Sequence, residues 1–248
     1  MAAADATTLR PTDRLRRSFV YRILEASGAV FGGLNGAAVA MSFGASAEAE
    51  RARARRLGLA DLSPLPRTGF KGPGAVEWLI DQGLEIGPDS NRAYRQPGGE
   101  RAARLAPTEV LLLDSPAGGG ALVDRLNGAW GWGAEKPRAP IGYPVPRADS
   151  HCWFAVTGEH APAMFAKICG VDLRPHKFAE GAIAQTSVAK ISAIVIRRPA
   201  VGGLPSFDLL ADSASAEYLW RCVIDAMIEF DGAPIGLAAL RELGDGAG

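Results

Sequence analysis

Two segments of this 248-residue sequence repeat one order of residue types, and this repeat restricts the possible folds more than any other feature. Residues 70–79 (FKGPGAVEWL) and 154–165 (FAVTGEHAPAMF) each run from phenylalanine through glycine to alanine and a bulky apolar pair, at unequal spacing. Each pattern predicts a strand, a glycine turn and an amphipathic helix, since Pro73 and Pro162 are tolerated in a turn or a first helical turn. We therefore predict an α+β fold of pseudo-duplicated β-turn-α units with antiparallel sheets.

The other elements follow from residue spacing around these units. Helices are predicted at residues 17–26, 47–57, 122–126 and 214–230, and β-rich runs at residues 59–63, 101–113 and 183–196. The last helix is expected to have Ser213 or Ser215 as its N-cap and one apolar stripe. Residues 1–16 are assigned to an N-terminal arm and residues 244–248 to a tail, which leaves a single domain over residues 17–243.

Composition excludes several classes of protein. The 48% of hydrophobic and 22% of charged residues exclude a disordered chain, and no stretch approaches the ~20 apolar residues of a membrane span. The 27 basic and 27 acidic residues cancel, so neither nucleic acid nor a membrane surface is an expected partner. Cys152, Cys169 and Cys222 contain no C-x-x-C pair. They argue against a disulfide framework and a cysteine zinc site, and favour a reducing cytoplasm.

The sequence shows no recognisable catalytic arrangement. His151, His160 and His176 lack the i, i+4 spacing of a helical metal site. The glycine-rich residues 118–120 and 202–203 lack the order of a phosphate-binding loop and are predicted to form turns. We predict no catalytic residue, no metal ligand and no cofactor held by this chain.

Four segments, taken in order, resemble the folate-binding aminomethyltransferases, the family of the glycine cleavage T-protein. Residues 25–32 (EASGAVFG) resemble the family's opening helix and turn, and residues 47–63, which end in RRLGLADLS, are similar to its R-x-x-G-L-x-D-L-S segment. Residues 70–79 resemble its V-x-G-x-D-A-x-x-F-L turn, and residues 234–243 (PIGLAALREL) its closing P-x-G-L-x-A…L-R stretch. The resemblance implies the T-protein fold and the position of a folate site.

Two residues that the resemblance would place at the folate are missing. The family carries an aspartate on the strand after a Gly-Gly pair, whereas residues 98–99 are followed here by ERAARL. Its Y-T-G-E-x-G-F-E turn supplies a glutamate to the pterin, whereas the matching residues 201–209 have Leu204 at that position. Asp208 is the remaining candidate for a folate-binding carboxylate.

These departures favour the short branch of the family, which resembles the gamma subunit of heterotetrameric sarcosine oxidase and of related N-methyl-amino-acid dehydrogenases. The resemblance implies a non-catalytic subunit of an oxidoreductase complex, acting on CH–NH groups, that demethylates an amine such as sarcosine or N-methylglutamate. Larger alpha and beta flavoprotein subunits, with or without a small zinc-binding subunit, would then hold FAD, FMN, NAD, zinc and tetrahydrofolate. Two alternatives stay open: a free-standing tetrahydrofolate-dependent aminomethyl or methyl transferase, and a folate-fold adaptor of an unrelated complex.

Residues 127–149 form an unusual segment between the two units. They hold four prolines, four glycines, two tryptophans and one tyrosine without a helical or strand period, which predicts a long loop. Tryptophan and tyrosine often dominate the binding energy of interfaces. We therefore predict Trp130, Trp132 and Tyr143 as partner-interface residues, the alternative being that the tryptophans cover this chain's own core.

Overall fold

The computed structural model describes residues 9–130, 142–200 and 202–245. The strands are β1 (Arg16–Arg17), β2 (Val30–Leu34), β3 (Ala37–Ser42), β4 (Gly58–Asp61), β5 (Arg67–Lys71), β6 (Arg92–Arg95), β7 (Arg101–Ala106), β8 (Glu109–Leu113), β9 (Tyr143–Pro144), β10 (His151–Thr157), β11 (Ile183–Val188), β12 (Ile191–Arg197), β13 (Ser206–Asp212) and β14 (Ala233–Pro234). The helices are α1 (Tyr21–Ala26), α2 (Ala47–Leu57), α3 (Ala75–Asp81), α4 (Ala121–Trp130), α5 (Ala161–Ile168), α6 (Ala216–Met227) and α7 (Leu237–Asp245). Within the described ranges, no helix is both long enough and apolar enough to span a bilayer.

The strands form three sheets. A three-stranded sheet has the order β1-β3-β2, a six-stranded sheet the order β11-β12-β13-β10-β4-β14, and a five-stranded sheet the order β6-β7-β8-β5-β9. Among the described strands, β1 runs parallel to β3 and β14 runs parallel to β4, and the other neighbouring pairs are antiparallel. The α+β class with antiparallel sheets is therefore confirmed.

The sequence repeat corresponds to a repeat in the topology. The first unit runs β5-α3-β6-β7-β8-α4 and the second runs β10-α5-β11-β12-β13-α6. In each unit the first strand pairs with the last, which gives the matching orders β6-β7-β8-β5 and β11-β12-β13-β10. The pseudo-duplication is confirmed, and it extends well beyond the two motifs that predict it.

Each β-rich run predicted after a repeat motif divides into a hairpin. Residues 101–113 form β7 and β8, and residues 183–196 fall in β11 and β12. The second hairpin turns at Ala189 and Lys190, which have φ angles of 48° and 67°. Positive φ at both central residues belongs to the turn whose twist suits a two-residue hairpin, although neither residue is a typical choice for it. The missing Asn-Gly or Asp-Gly pair explains why the turn is not evident from sequence.

The turn glycine of the second unit is required by a close backbone approach. Gly158 has a φ of 119°, and a Cβ atom there would lie 2.5 Å from the carbonyl oxygen of Arg56. Glycine alone tolerates both the backbone angle and the contact. The turn therefore brings the start of α5 close to the end of α2.

Three apolar clusters order the sheets and helices in layers. One cluster joins one face of the six-stranded sheet to α1, α5 and α6. A second lies between the six-stranded and five-stranded sheets and includes α7 and β3. A third joins the outer face of the five-stranded sheet to α3 and α4. The layers are thus helix, sheet, sheet and helix, and a residue in the second cluster is remote from solvent.

The ends of the described chain differ from the predicted arm and tail. Arg16 and Arg17 form β1 beside Ala37 and Ala38, and Pro11 is buried. Residue 17 therefore belongs to a strand, and the predicted helix over residues 17–26 begins only at Tyr21. At the other end α7 continues to Asp245, because its apolar side packs against the inter-sheet cluster.

The other predicted helices are present, and α4 and α6 have ends that differ from the prediction. α2 spans the predicted residues 47–57, and the Ser46 hydroxyl caps it by accepting a 3.2 Å bond from the Ala49 amide. Ser215, one of the two predicted N-caps, is the N-cap residue of α6, but its side chain makes no capping hydrogen bond. Asp212 instead accepts a 2.8 Å bond from the Ala214 amide and caps the 3-10 turn that precedes α6. α4 is longer than the predicted residues 122–126 and ends at Trp130.

Candidate functional site

Asp208 lies at the centre of β13, in the layer between the two large sheets. It is opposite Ala155 on β10 and Ile196 on β12. Its neighbours Phe207 and Leu209 face the cluster of α5 and α6, and alternation along a strand directs Asp208 to the opposite face. The residue is 0% exposed. A buried carboxylate needs partners of opposite charge or hydrogen-bond donors.

Three side chains of the same molecule supply these partners. The indole Nε1–H of Trp153 donates a 2.8 Å hydrogen bond to Oδ1 of Asp208. Nη2 of Arg101 lies 3.0 Å from Oδ2, and Nη1 of Arg198 lies 3.7 Å from Oδ1. Oδ1 therefore accepts a hydrogen bond, whereas Oδ2 has the charge of Arg101 beside it but accepts no hydrogen bond.

The charges in this cluster do not balance. The side chains of Arg101 and Arg198 are 6% and 7% exposed, and they share the one carboxylate of Asp208. Burial lowers the pKa of Arg198 to about 10, against the opposing influence of Asp208. Two buried guanidinium groups on one carboxylate leave an excess of positive charge.

This arrangement determines what Asp208 can do for a ligand. Asp208 is 0% exposed, so its oxygens could accept N–H groups of a pterin ring only if the side chains around them moved. The strand after the Gly98–Gly99 turn, where the resemblance expects an aspartate, instead carries Arg101. The folate role of Asp208 stays a prediction, and in this structure the residue anchors two arginines.

A cavity of about 470 Å³ opens beside this cluster. Arg101 and Arg198 form part of its wall, with Gly98, Gly99, the loop at residues 115–117 and the end of α7. Arg95 and Arg241 complete the basic lining, and none of the described lining residues is acidic.

Comparisons with known proteins match nearly the whole chain. No protein-family model matches it. The sequence is 24% identical over 243 residues to the Aeropyrum pernix protein named "Probable aminomethyltransferase", a match that covers 91% of this chain and 60% of the relative. The crystal structure of glycine cleavage system aminomethyltransferase T from Bartonella henselae superposes with a TM-score of 0.68 at 20% identity, over 93% of this chain and 62% of that one.

A second solved structure matches at full length. A chain of heterotetrameric sarcosine oxidase from Corynebacterium sp. U-96, in complex with pyrrole 2-carboxylate, gives a TM-score of 0.62 at 22% identity, over 90% of this chain and 100% of that one. The chain has an aminomethyltransferase-like fold. It spans about 60% of the length of the two aminomethyltransferases but the whole of the sarcosine oxidase chain. The resemblance of fold predicted from four short segments is confirmed.

Sequence motifs do not identify the side chains that surround Asp208. Arg198 belongs to no motif, Arg101 lies in the segment where the resemblance expects an aspartate, and Trp153 directly precedes the repeat segment 154–165. One signal was available: the pair Arg197–Arg198 directly follows the apolar run of β12. An arginine at the end of a buried strand is either solvated or paired with an acidic group. This doublet is therefore a sequence signal for a buried carboxylate nearby.

Ser150 and His151 form the one nucleophile-like pair in the described residues, but the bond between them has the wrong direction. Nε2 of His151 lies 3.0 Å from Nη1 of Arg147, which is itself paired with Glu109. A guanidinium can only donate, so Nε2 accepts and the ring proton is on Nδ1. Nδ1 then donates to the Ser150 hydroxyl, 2.9 Å away. The imidazole cannot take a proton from Ser150, so the pair does not form an activated nucleophile.

His151 gives the protein a defined pH dependence. Burial, reinforced by Arg147 and Arg67, lowers the pKa of His151 from 6.5 to about 4. Between these values the unfolded chain takes up a proton that the folded chain refuses, so the free energy of unfolding falls as the pH drops from 6.5 towards 4. The free energy of unfolding can be measured with urea at pH 7 and at pH 5. Between these two pH values it should fall by about 1–2 kcal/mol less in His151→Gln than in the natural protein, after allowance for solvent screening.

The glutamine variant is a matched comparison because its side-chain oxygen can still accept from Arg147. At pH 7 the two proteins should therefore have similar free energies of unfolding. If the free energy of unfolding fell equally in both proteins between pH 7 and pH 5, protonation of His151 would not contribute to the pH dependence of stability.

The predicted interface residues lie in different surroundings. Trp130 is 6% exposed at the end of α4, and its ring lies 5.2 Å from that of Phe70 and 4.9 Å from that of Trp78. The predicted loop over residues 127–149 is thus wrong for residues 127–130, and the alternative of core packing fits Trp130. Tyr143, by contrast, is 57% exposed on β9. Trp132 lies outside the described residues.

The thiols and histidines give no further site. No group of three or more potential metal ligands occurs in the part of the chain that the structure describes. Cys152 is buried, and burial raises the pKa of its thiol to about 12, which keeps it from acting as a nucleophile at neutral pH. His160 stacks on Phe230 with ring centres 5.3 Å apart.

Proposed function

We propose that this chain is a non-catalytic gamma-type subunit of a flavin-dependent heteromeric complex, which oxidatively demethylates an N-methyl amine such as sarcosine or N-methylglutamate. The observation that carries the proposal is the likeness of fold to a subunit of such a complex. A chain of heterotetrameric sarcosine oxidase superposes on 90% of this chain with a TM-score of 0.62.

The geometry at Asp208 supports the same proposal. Arg101, Arg198 and Trp153 engage its two oxygens, which leaves the carboxylate poorly placed to hold a pterin. FAD, FMN, NAD, zinc and tetrahydrofolate would then belong to larger alpha and beta subunits, with or without a small zinc-binding subunit. The three cysteines are free thiols, which fits the reducing cytoplasm that we propose for the complex.

We place part of the partner interface at β9. This strand is at the edge of the five-stranded sheet, and it presents the exposed ring of Tyr143. An edge strand offers unpaired backbone groups, and tyrosine is enriched among residues that dominate interfaces. Trp132 stays in the proposal on sequence grounds alone.

The test is purification of the tagged chain from its native host under mild conditions. We expect it to elute with larger subunits, to absorb at flavin wavelengths and to turn over sarcosine or N-methylglutamate. The same chain produced alone is the control, and it should be colourless and without turnover. Turnover by the isolated chain, or a native complex without flavin, would contradict the proposal; the second outcome would favour the adaptor.

A tetrahydrofolate-dependent transferase is the second candidate, favoured by the match to the Aeropyrum protein. Calorimetric titration of the isolated chain with tetrahydrofolate distinguishes it. The gamma-type proposal predicts no binding at low micromolar concentrations. Binding in that range would reverse the ranking, and its loss in an Asp208→Asn protein shown by circular dichroism to be folded would give Asp208 the folate role.

A further inference from the structure

We propose that the arginine-lined cavity beside Asp208 binds the oxyanion group of a small molecule, a phosphate or a carboxylate. This inference does not depend on the proposed function, since it rests on the charges and hydrogen bonds of this chain alone. The site consists of two buried arginines at its inner wall, Arg101 and Arg198, and two at its sides, Arg95 and Arg241.

The inner wall carries more positive than negative charge. The buried side chains of Arg101 and Arg198 both contact Asp208, which supplies one negative charge for two positive ones. An uncompensated buried charge is strongly unfavourable, because the protein interior solvates it poorly. An anion in the cavity would supply the missing charge at the place where these two side chains form the wall.

The same arginines also lack hydrogen-bond acceptors. Among the described residues, Nε and Nη2 of Arg101 and Nε and Nη1 of Arg198 are buried without a hydrogen-bond acceptor, and Oδ2 of Asp208 is buried without a donor. Nη2 of Arg101 is near Asp208 Oδ2, but their geometry does not make a hydrogen bond. Buried donors without acceptors are rare in folded proteins, and here they show that Asp208 alone does not satisfy the two guanidinium groups. Guanidinium groups pair best with the oxygens of carboxylates and phosphates.

The rest of the cavity fits a ligand rather than a lone ion. Arg241 is held in place by a 2.7 Å bond from its Nε to the carbonyl oxygen of Pro116, which leaves its terminal nitrogens for a ligand. Ser115 accepts from the Ala117 amide and can donate its hydroxyl proton. The volume of about 470 Å³ is within the range of small-molecule sites and far exceeds a single oxyanion. The anionic group would therefore be one end of a larger molecule.

The test is thermal unfolding and calorimetry of the full chain with inorganic phosphate and, separately, succinate. Sodium chloride at the same ionic strength controls for general screening of charge. We expect at least one of the two probes to raise the melting temperature in a saturable way beyond the chloride control. A preference for phosphate would assign a phosphorylated ligand, and a preference for succinate would assign a carboxylate ligand. Equal effects of both probes would assign an oxyanion site of either kind.

Variants locate the binding. Arg198→Gln should weaken binding of the effective probe by about tenfold or more, because it removes a charge-assisted contact. Since loss of a buried residue can impair folding, Arg95→Gln is the second variant, and we expect it to weaken binding by about threefold. Arg92→Gln is the matched control, because Arg92 is exposed on the same strand as Arg95 but does not line the cavity. Stabilisation no greater than with chloride, or an Arg95→Gln protein that binds like the natural one, would overturn the proposal.

Discussion

Replacement of Asp208 by asparagine is expected to lower the free energy of unfolding by about 3–5 kcal/mol in a buffer without phosphate. Asparagine keeps the shape of the side chain and an oxygen to accept from Trp153, but it removes the negative charge. Arg101 and Arg198 would then be two buried guanidinium groups without a counterion. Urea unfolding monitored by tryptophan fluorescence measures the difference.

Asp212→Asn is the control for this substitution. Asp212 ends the same strand, but it is exposed, and asparagine serves as a helix cap about as well as aspartate. Its stability should change by no more than about 0.5 kcal/mol. If Asp208→Asn changed the free energy of unfolding as little as this control does, burial of the two arginines would not depend on the carboxylate.

Replacement of Trp130 by alanine is expected to destabilise the isolated chain by about 3–5 kcal/mol and to lower its melting temperature by roughly 10 °C. The indole fills the space between α4 and the five-stranded sheet, in contact with Phe70 and Trp78. Alanine would leave a cavity there that these neighbours cannot close. Differential scanning calorimetry of the isolated chain gives the measurement.

Tyr143→Ala is the matched variant, because Tyr143 is an aromatic residue of the same predicted interface but is 57% exposed. We expect its melting temperature to stay close to that of the natural chain and the native complex to weaken. The opposite pattern, with Trp130→Ala stable but unable to join the complex, would return Trp130 to the interface.

The large elements were predictable because their signals are local. α2 is bounded by a serine cap and a glycine, and its extent agrees with the prediction. The two β-turn-α units were evident because a glycine must stand where strand turns into helix, and this constraint leaves a pattern in sequence. The full repeat of strands, however, depends on pairing between distant segments, which no local pattern encodes.

The candidate site was not predictable for the same reason. Asp208, Arg101 and Arg198 come from different segments and meet only when the two large sheets pack together. Resemblance directed attention to Asp208, but it could not show that neighbouring strands supply two cations. Only the doublet at residues 197–198 offered a hint.

The extent of α4 was mispredicted because composition outweighed spacing. Gly128 has low helix propensity, and the glycines and prolines that follow suggested a loop from residue 127 onward. Val123, Leu126 and Trp130 nevertheless have the three- and four-residue spacing of a buried helix face. That face packs on the five-stranded sheet, and the apolar contact stabilises the last turn in spite of the glycine.

The position of β4 has a consequence for the order of events during synthesis. β4 is complete at Asp61, but its neighbours in the six-stranded sheet are β10, which starts at His151, and β14, which starts at Ala233. The strands β5 to β8 of the first unit, in contrast, are available to one another once Leu113 has been made. The first unit can thus assemble while the chain is still being synthesised. The backbone groups of β4, in contrast, stay unpaired until β10 and β14 have been synthesised. Such long-range pairing slows folding and exposes an edge to other nascent chains in the meantime.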